Sequence, residues 1–169
     1  MSRAKALRNQ LESGKIVVAP GAYDAWSARL IESQGFSAVY MSGYAASASV
    51  LGMPDLGLMT GNEMADQLRR IAAVTTVPVL ADGDTGFGGA LNVMRTVRDY
   101  ISAGAAAIQI EDQVSPKRCG HMENKQVVET PEMVERLRAA VEARGRDDIV
   151  IIARTDARAT HDLDEAIRR

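Results

Sequence analysis

Two periodicities alternate along the chain. Residues 3–13 place Ala4, Leu7 and Leu11 on one helical face and stop at Gly14, a residue type suited to ending a helix. The unbroken apolar run Ile16-Val17-Val18-Ala19 follows, closed by Pro20-Gly21. Apolar on both faces and bounded by turn residues, it predicts a buried parallel strand. Asp24 is placed to cap a helix carrying Trp26, Leu30 and Ile31 up to Gly35, and Ala38-Val39-Tyr40-Met41 is the next strand. Beyond Ser42-Gly43-Tyr44, residues 45–60 show neither period, which predicts a long loop with room for a short helix.

The same unit then repeats. Met64, Leu68 and Ile71 share a helical face ahead of a strand at 77–81. Ala90, Val93, Met94, Val97 and Ile101 share another, which Gly104 ends ahead of a strand at 107–110. Thr130-Pro131 reads as a cap followed by proline in the first helical turn, with Val134, Leu137 and Val141 continuing to Gly145 and a fifth strand at 149–153. Strands alternating with helices mean parallel βα units, as an open doubly wound sheet or a (β/α)8 TIM barrel. The polar residues favour the barrel. Nearly every strand delivers them at its C-terminal end: Ser42-Gly43-Tyr44, Asp82-Gly83-Asp84, Glu111-Asp112 and Arg154-Thr155-Asp156. Five strands are about the first five βα units of eight, in a single partial domain over residues 1–169, and the chain stops inside a helical pattern begun by Asp162 and Leu163. An open arc exposes strand edges and apolar surface. We therefore expect these residues to belong to a longer polypeptide or to pair with other chains, with little or no activity alone.

Composition narrows the partners. The chain has 169 residues, 46% apolar and 25% charged, with 22 acidic against 20 Lys and Arg for a net charge of −2. That balance offers no excess cation for a phosphate backbone, and 4% aromatic residues offer few stacking platforms for single strands. No nucleic-acid partner is expected. Cys119 is the only cysteine, which excludes an intrachain disulfide and fits a reducing compartment. No stretch approaches a bilayer-spanning length and no signal-peptide core is visible, so a cytoplasmic protein with no membrane association is the expectation.

The strand ends carry the chemistry. Asp82 and Asp84, two apart after a strand, can project to the same side. With Glu111 and Asp112 they form an anionic cluster that suits a hard cation, Mg²⁺ or Mn²⁺, held through one or two carboxylates and water. Such acids also cap helices routinely, which is the plainer explanation for any one of them. The run 83–89 matches neither the dinucleotide fingerprint nor the P-loop, and reads as a tight turn over a ligand. Lys117-Arg118-Cys119-Gly120-His121 places a thiol between two cations and a Gly-His pair, surroundings that stabilise a thiolate and allow proton exchange near neutral pH. Neither that cysteine nor the two histidines, His121 and His161, have the spacing of a structural zinc site.

The segment Pro116-Lys117-Arg118-Cys119-Gly120-His121, with the Asp82-Gly83-Asp84-Thr85-Gly86-Phe87-Gly88 turn before it, resembles the isocitrate lyase/phosphoenolpyruvate mutase superfamily, on its 2-methylisocitrate lyase and 2,3-dimethylmalate lyase branch. The likeness runs from Pro20-Gly21-Ala22-Tyr23-Asp24 to Arg154-Thr155-Asp156. It implies a (β/α)8 barrel, a homotetramer, Mg²⁺, and cleavage of a carbon–carbon bond in a small 2-hydroxy di- or tricarboxylate. Residue by residue, it implies that Ser42, Gly43 and Tyr44 meet the substrate carboxylate and that Asp82 and Asp84 bind the metal. Asp55 and Glu111 take supporting polar positions, Asp55 at the substrate and Glu111 among the catalytic groups with Lys117, while His121 binds substrate and Arg154 binds a carboxylate. Cys119 is the general acid, with Gly120 beside it at the substrate, and the base is Tyr44 or a metal-associated carboxylate such as Glu111. The sequence departs from the branch at Met122-Glu123, where 2-methylisocitrate lyases carry Arg-Pro, and loss of that arginine favours a dicarboxylate. Oxaloacetate decarboxylases and phosphonomutases of the superfamily, which lack the cysteine loop, are alternatives. An inactive fragment or scaffold is a third.

Overall fold

Five parallel strands pair in strictly sequential order, and this order decides the architecture. The structure is a computed structural model describing residues 1–169. Its elements are α1 (Arg3–Glu12), β1 (Gly21–Ala22), α2 (Ala25–Ser33), β2 (Val39–Met41), α3 (Gly43–Leu51), α4 (Gly61–Val74), β3 (Val79–Asp82), α5 (Ala90–Ala103), β4 (Ala107–Glu111), α6 (Thr130–Arg144), β5 (Val150–Arg154), α7 (Ala157–Thr160) and α8 (Leu163–Arg168). The sheet runs β1-β2-β3-β4-β5. A doubly wound sheet reverses order at a switch point, and this one never does. Right-handed crossovers that always advance the same way put their helices on one face, the arrangement of a (β/α)8 barrel arc.

Side chains therefore sort by period two into two layers. Val39, Met41, Val79, Ala81, Ile108 and Ile110 face the helices and pack with Met64, Leu68, Ile71, Val93, Val97 and Tyr100 in the main core. The opposite face is layered along the strands. Tyr40, Leu80, Ala107 and Val150 share one rung, Asp82, Gln109 and Ile152 the next, and Glu111 and Arg154 the last. Its lower part is apolar, and α1 closes it: Ala4 and Leu7 pack against Ala106 and Ala107, with Leu80, Val150 and Ile152 beside them. Arg3 holds α1 there by donating to the carbonyls of Ala72 and Thr75 at the end of α4. From Asp82 in the second rung onward the same face is charged.

Local chemistry sets the helix ends. Asp24 and Ser27 form a capping box for α2, and Thr60 and Glu63 form one for α4. Gly104 ends α5 in the left-handed conformation (φ +97°). Two expectations need correction, at residues 16–19 and at Thr130, and the short helix allowed for in the 45–60 loop is α3. Residues 16–19 form no strand: the first ladder pairs Gly21 with Tyr40, a register that sets 16–18 opposite the turn 35–37, and Ile16 is 91% exposed. Residues 43–51 form α3, because Ser42 caps them and Ala and Ser carry a helix without an apolar stripe. Thr130 lies inside α6 behind Glu129, and Pro131 follows it, so this end has no side-chain cap.

Leu7→Ala should lower unfolding free energy by about 2–5 kcal/mol in urea titrations, since Leu7 is wholly buried. Ile16→Ser should change it by less than about 0.5 kcal/mol, as expected of an exposed position.

Candidate active site

The charged end of the inner face is assembled by register rather than by sequence proximity. Asp82 ends β3, and its Oδ2 accepts from the Gly43 amide at the start of α3 (3.2 Å) while Oδ1 accepts from the Asp84 amide (3.2 Å). A Cβ at Gly43 would stand 2.9 Å from Asp82 Oδ2, so only glycine lets this helix N-terminus meet the carboxylate. Tyr100 donates from α5 to the Asp82 carbonyl (2.8 Å) and fixes the strand end from behind. Asp84 holds a left-handed backbone (φ +47°), which turns the chain back so that its own carbonyl accepts from the Glu111 amide (2.8 Å).

Lys117 reaches this cluster from the cysteine loop. Its buried Nζ lies 2.6 Å from Asp55 Oδ2 and 2.8 Å from Asp84 Oδ1. Burial works against its ammonium, but Asp84 and Asp55 outweigh it and hold Lys117 above the ordinary lysine range. Asp84 Oδ1 has this ion pair but no further hydrogen-bond partner, and Glu111 Oε1 has none. Burial pushes Asp84 up to about 6, with the Asp82 charge adding to it and Lys117 only partly offsetting it. Burial likewise pushes Glu111 up to about 8, against the pull of Arg154, whose Nη1 pairs with Glu111 Oε2 at 3.0 Å. Asp84 Oδ1, paired only with the Lys117 ammonium, and Glu111 Oε1, with no partner, lie beside Asp82, oxygen donors of the kind a hard cation takes. No three His, Cys, Asp or Glu side chains converge as a complete cage, so an ion here would be completed by water or ligand oxygens, as Mg²⁺ prefers.

Cys119 is nearly buried, and its Sγ lies 3.6 Å from His121 Nδ1. Its amide donates to the Asp55 carbonyl (3.1 Å), so the loop is stitched to the segment that carries Asp55. The two cations beside it in sequence do other work: Lys117 pairs with the acids, and Arg118 is exposed. Tyr44, Pro54, Asp55, Cys119, His121 and Met122 line a cavity of about 410 Å³. Tyr44 is exposed, and its ring stands edge-on to His121, centroids 6.5 Å apart. Gly120 lies against Arg154, where a Cβ would come within 2.9 Å of Nη2.

Thus Gly43, Asp55, Asp82, Asp84, Glu111, Lys117, Cys119, Gly120 and Arg154 meet at one end of the sheet. Ser42 is engaged as the cap of α3, its Oγ accepting from Ala45. Asp112 leaves the cluster: its carboxylate accepts from Thr155 Oγ1 (2.7 Å), the Asp156 amide (2.9 Å) and Arg169 (3.1 Å). Residues absent from the sequence reading join instead. Gln109 donates to the Tyr40 hydroxyl (2.9 Å) on the same face as Asp82, and burial, then the Asp82 charge, raise that phenol above its usual range. A lone Gln or Tyr inside an apolar strand was the available signal, since period two puts both on the charged face.

The sequence profile of the phosphoenolpyruvate phosphomutase family matches residues 7–169. The chain is 54% identical to 2,3-dimethylmalate lyase of Eubacterium barkeri over its whole length, covering 58% of that protein. It is 47% identical to 2-methylisocitrate lyase of Escherichia coli (strain K12), with 99% of this chain and 57% of the relative covered. Among solved structures, a 2,3-dimethylmalate lyase (trigonal form) superposes with TM-score 0.95 at 47% identity, covering 99% of this chain and 57% of that one. Oxaloacetate acetylhydrolase bound to 3,3-difluorooxalacetate gives 0.95 at 44%, covering 99% and 58%. The chain spans just over half the length of these relatives. No helix is long and apolar enough to cross a membrane.

Lys117→Met should destabilise the fold by about 3–5 kcal/mol at neutral pH, because it strands two buried carboxylates. Without the ammonium Asp84 rises further above its unfolded value, and a raised acid costs stability where it is ionised. The deficit, followed by thermal melts, should therefore shrink between about pH 8 and about pH 5 as protonation discharges Asp84.

Proposed function

The chain belongs to the phosphoenolpyruvate phosphomutase family, and from that premise we propose that the intact protein is a carbon–carbon lyase. Its substrate is a 2-hydroxy dicarboxylate, cleaved into a 2-keto acid and a second carboxylate. The observation that carries this reading is the Cys119 loop stitched over the acid cluster and Arg154, which sets a proton donor beside a carboxylate-binding cation. Met122 lines the same cavity as Cys119 and His121, an apolar wall suited to alkyl substituents rather than a third carboxylate. The 54% identity to 2,3-dimethylmalate lyase supports the same choice.

In the proposed reaction Arg154 orients one substrate carboxylate and the Ser42-Gly43-Tyr44 segment at the start of α3, through the Tyr44 amide, the other. The hydroxyl proton leaves to Glu111, whose Oε1 is free and whose pKa of about 8 suits it to exchange near neutrality. The oxygen electron pair forms the ketone. The electrons of the broken carbon–carbon bond pass to the carbon beside the second carboxylate, and the Cys119 thiol protonates it. Tyr44 is the other acceptor for the hydroxyl proton, though it stands on the outer wall of the cavity. Asp82 and Asp84 would hold Mg²⁺, or Mn²⁺, partly through water; when bound it supplies Lewis-acid polarisation of the substrate's hydroxyl and carboxylate. Assembly as a homo-oligomer belongs to the same reading, with Trp26 and Leu30 of α2 exposed as apolar surface.

A product assay of the intact protein on substituted malates, 2-methylisocitrate and oxaloacetate with Mg²⁺ tests this. Cleavage of a substituted malate is expected. Decarboxylation or hydrolysis of oxaloacetate alone would move the protein to another branch, and no turnover of any substrate would support a scaffold. Cys119→Ser should lose about 10²–10⁴-fold in kcat yet still bind a dicarboxylate product by calorimetry. Asp84→Ala should abolish turnover with unchanged far-UV circular dichroism, and it should remove the rise in Tm that Mg²⁺ gives the wild type. Full activity in excess chelator would exclude the metal role.

A further inference from the structure

One carboxylate outside the acid cluster gathers three side-chain donors that all lead back to the site. Asp156 is buried at the start of α7. Its Oδ1 accepts from Lys125 Nζ (3.0 Å), and its Oδ2 accepts from Gln113 Nε2 (3.1 Å) and lies 3.1 Å from Arg154 Nη2. Burial alone would raise this acid, but the Lys125 hydrogen bond and the Arg154 charge hold it below its usual range. Each donor also leads elsewhere. Gln113, 1% exposed, clamps the Arg118 backbone in both directions: Oε1 accepts from the Arg118 amide and Nε2 donates to its carbonyl, both at 3.0 Å. In this way the side chain imitates a neighbouring strand. Lys125 Nζ donates to the Gly120 carbonyl (2.7 Å). Arg154 pairs with Glu111 and lies against Gly120.

The backbone around Cys119 is therefore held one residue before the thiol by Gln113 and one residue after it by Lys125. Both holds converge on the carboxylate that also orients Arg154. The base of the loop is closed separately, by the Gln113–Val127 bridge and the Val114 amide on the Gln126 carbonyl (2.9 Å), and Arg136 donates to the Gln113 carbonyl (3.0 Å). Those backbone contacts fix where the loop starts and ends. Residues 118–120 are held separately: by the Cys119 amide on the Asp55 carbonyl and the neighbouring Lys117 pairs on one side, and by Gln113 and Lys125 on the other.

We propose that Asp156, acting through Gln113 and Lys125, is a positioning residue that latches the Cys119 loop in its closed place and aligns it with Arg154. Asp156 touches no reacting atom in this arrangement; it couples the thiol's position to the guanidinium's. The latch deepens the lyase reading, and its catalytic consequence rests on that reading, whereas its effect on the loop does not.

Alkylation of Cys119 by iodoacetamide in the intact protein reads the loop directly: the thiol lines the cavity but is only 7% exposed, and opening of the loop bares it. Gln113→Ala, Asp156→Asn and Lys125→Met should each speed alkylation about tenfold, the scale expected when one or two hydrogen bonds to a charged hub are lost. Gln113→Ala changes no charge, so a faster rate there reports opening rather than a shifted thiolate fraction. Lys125 is the least enclosed of the three, half-buried as a residue although its side chain is 8% exposed, and Lys125→Met keeps the test available if the Gln113 and Asp156 variants do not fold. In turnover, Gln113→Ala and Lys125→Met should lower kcat with KM held, while Asp156→Asn should also raise KM because Arg154 loses its orienting partner. Unchanged alkylation in the folded variants would overturn the latch. Faster alkylation in a wild-type background that cleaves none of the assayed substrates would uphold the latch and remove the lyase reading.

Discussion

The Lys117 ammonium between Asp55 and Asp84 is the contact on which the site's assembly depends. It joins three segments that no backbone ladder joins: the loop before α4, the turn after β3 and the cysteine loop. Buried ion pairs seldom stabilise more than well-packed apolar groups of the same size, because desolvating two charges offsets most of their attraction. The pairing is better understood as a specification of place. With Asp84 bent into a left-handed turn and held against Glu111, the ammonium has one location where both carboxylates are in reach, and the thiol two residues on is carried with it.

The sheet makes such a cluster tolerable. Period-two alternation commits one face of β2, β3 and β4 to the helices, where Val, Ile, Ala and Met supply the apolar burial. The other face is free to change character along the strands, apolar over α1 and charged at the C-terminal ends. Stability and chemistry are thus drawn from different residues of the same strands. The charged layer remains costly: Asp84 and Glu111 are both raised by burial, and each keeps an oxygen without a hydrogen bond. Strain of this kind is expected where a ligand's own charge completes the balance.

Much of this was legible in the sequence. The helices of residues 25–33, 61–74 and 90–103 follow from apolar spacing, and Asp24 and Gly104 act as end signals because capping is decided by the few residues around them. The three strands at 79–82, 107–111 and 150–154 follow from short apolar runs, and the acids and arginine at their ends follow from where such runs stop. Local chemistry acts over a turn or two, and a sequence displays it directly.

Tertiary structure decided what depends on residues far apart. The first strand lies at Gly21–Ala22 because its register with Tyr40 leaves the apolar run before it facing a turn. Tyr40 and Gln109 belong to the site because parallel pairing puts them on one face with Asp82. Asp112 leaves its neighbour Glu111 because adjacent strand positions point to opposite faces. Lys117 serves Asp55, 62 residues away, and Gln113 meets Asp156, 43 residues away, rather than the neighbours that sequence would assign them. Which residues can carry charge was written in the chain, and which charges meet was set by the register of the sheet.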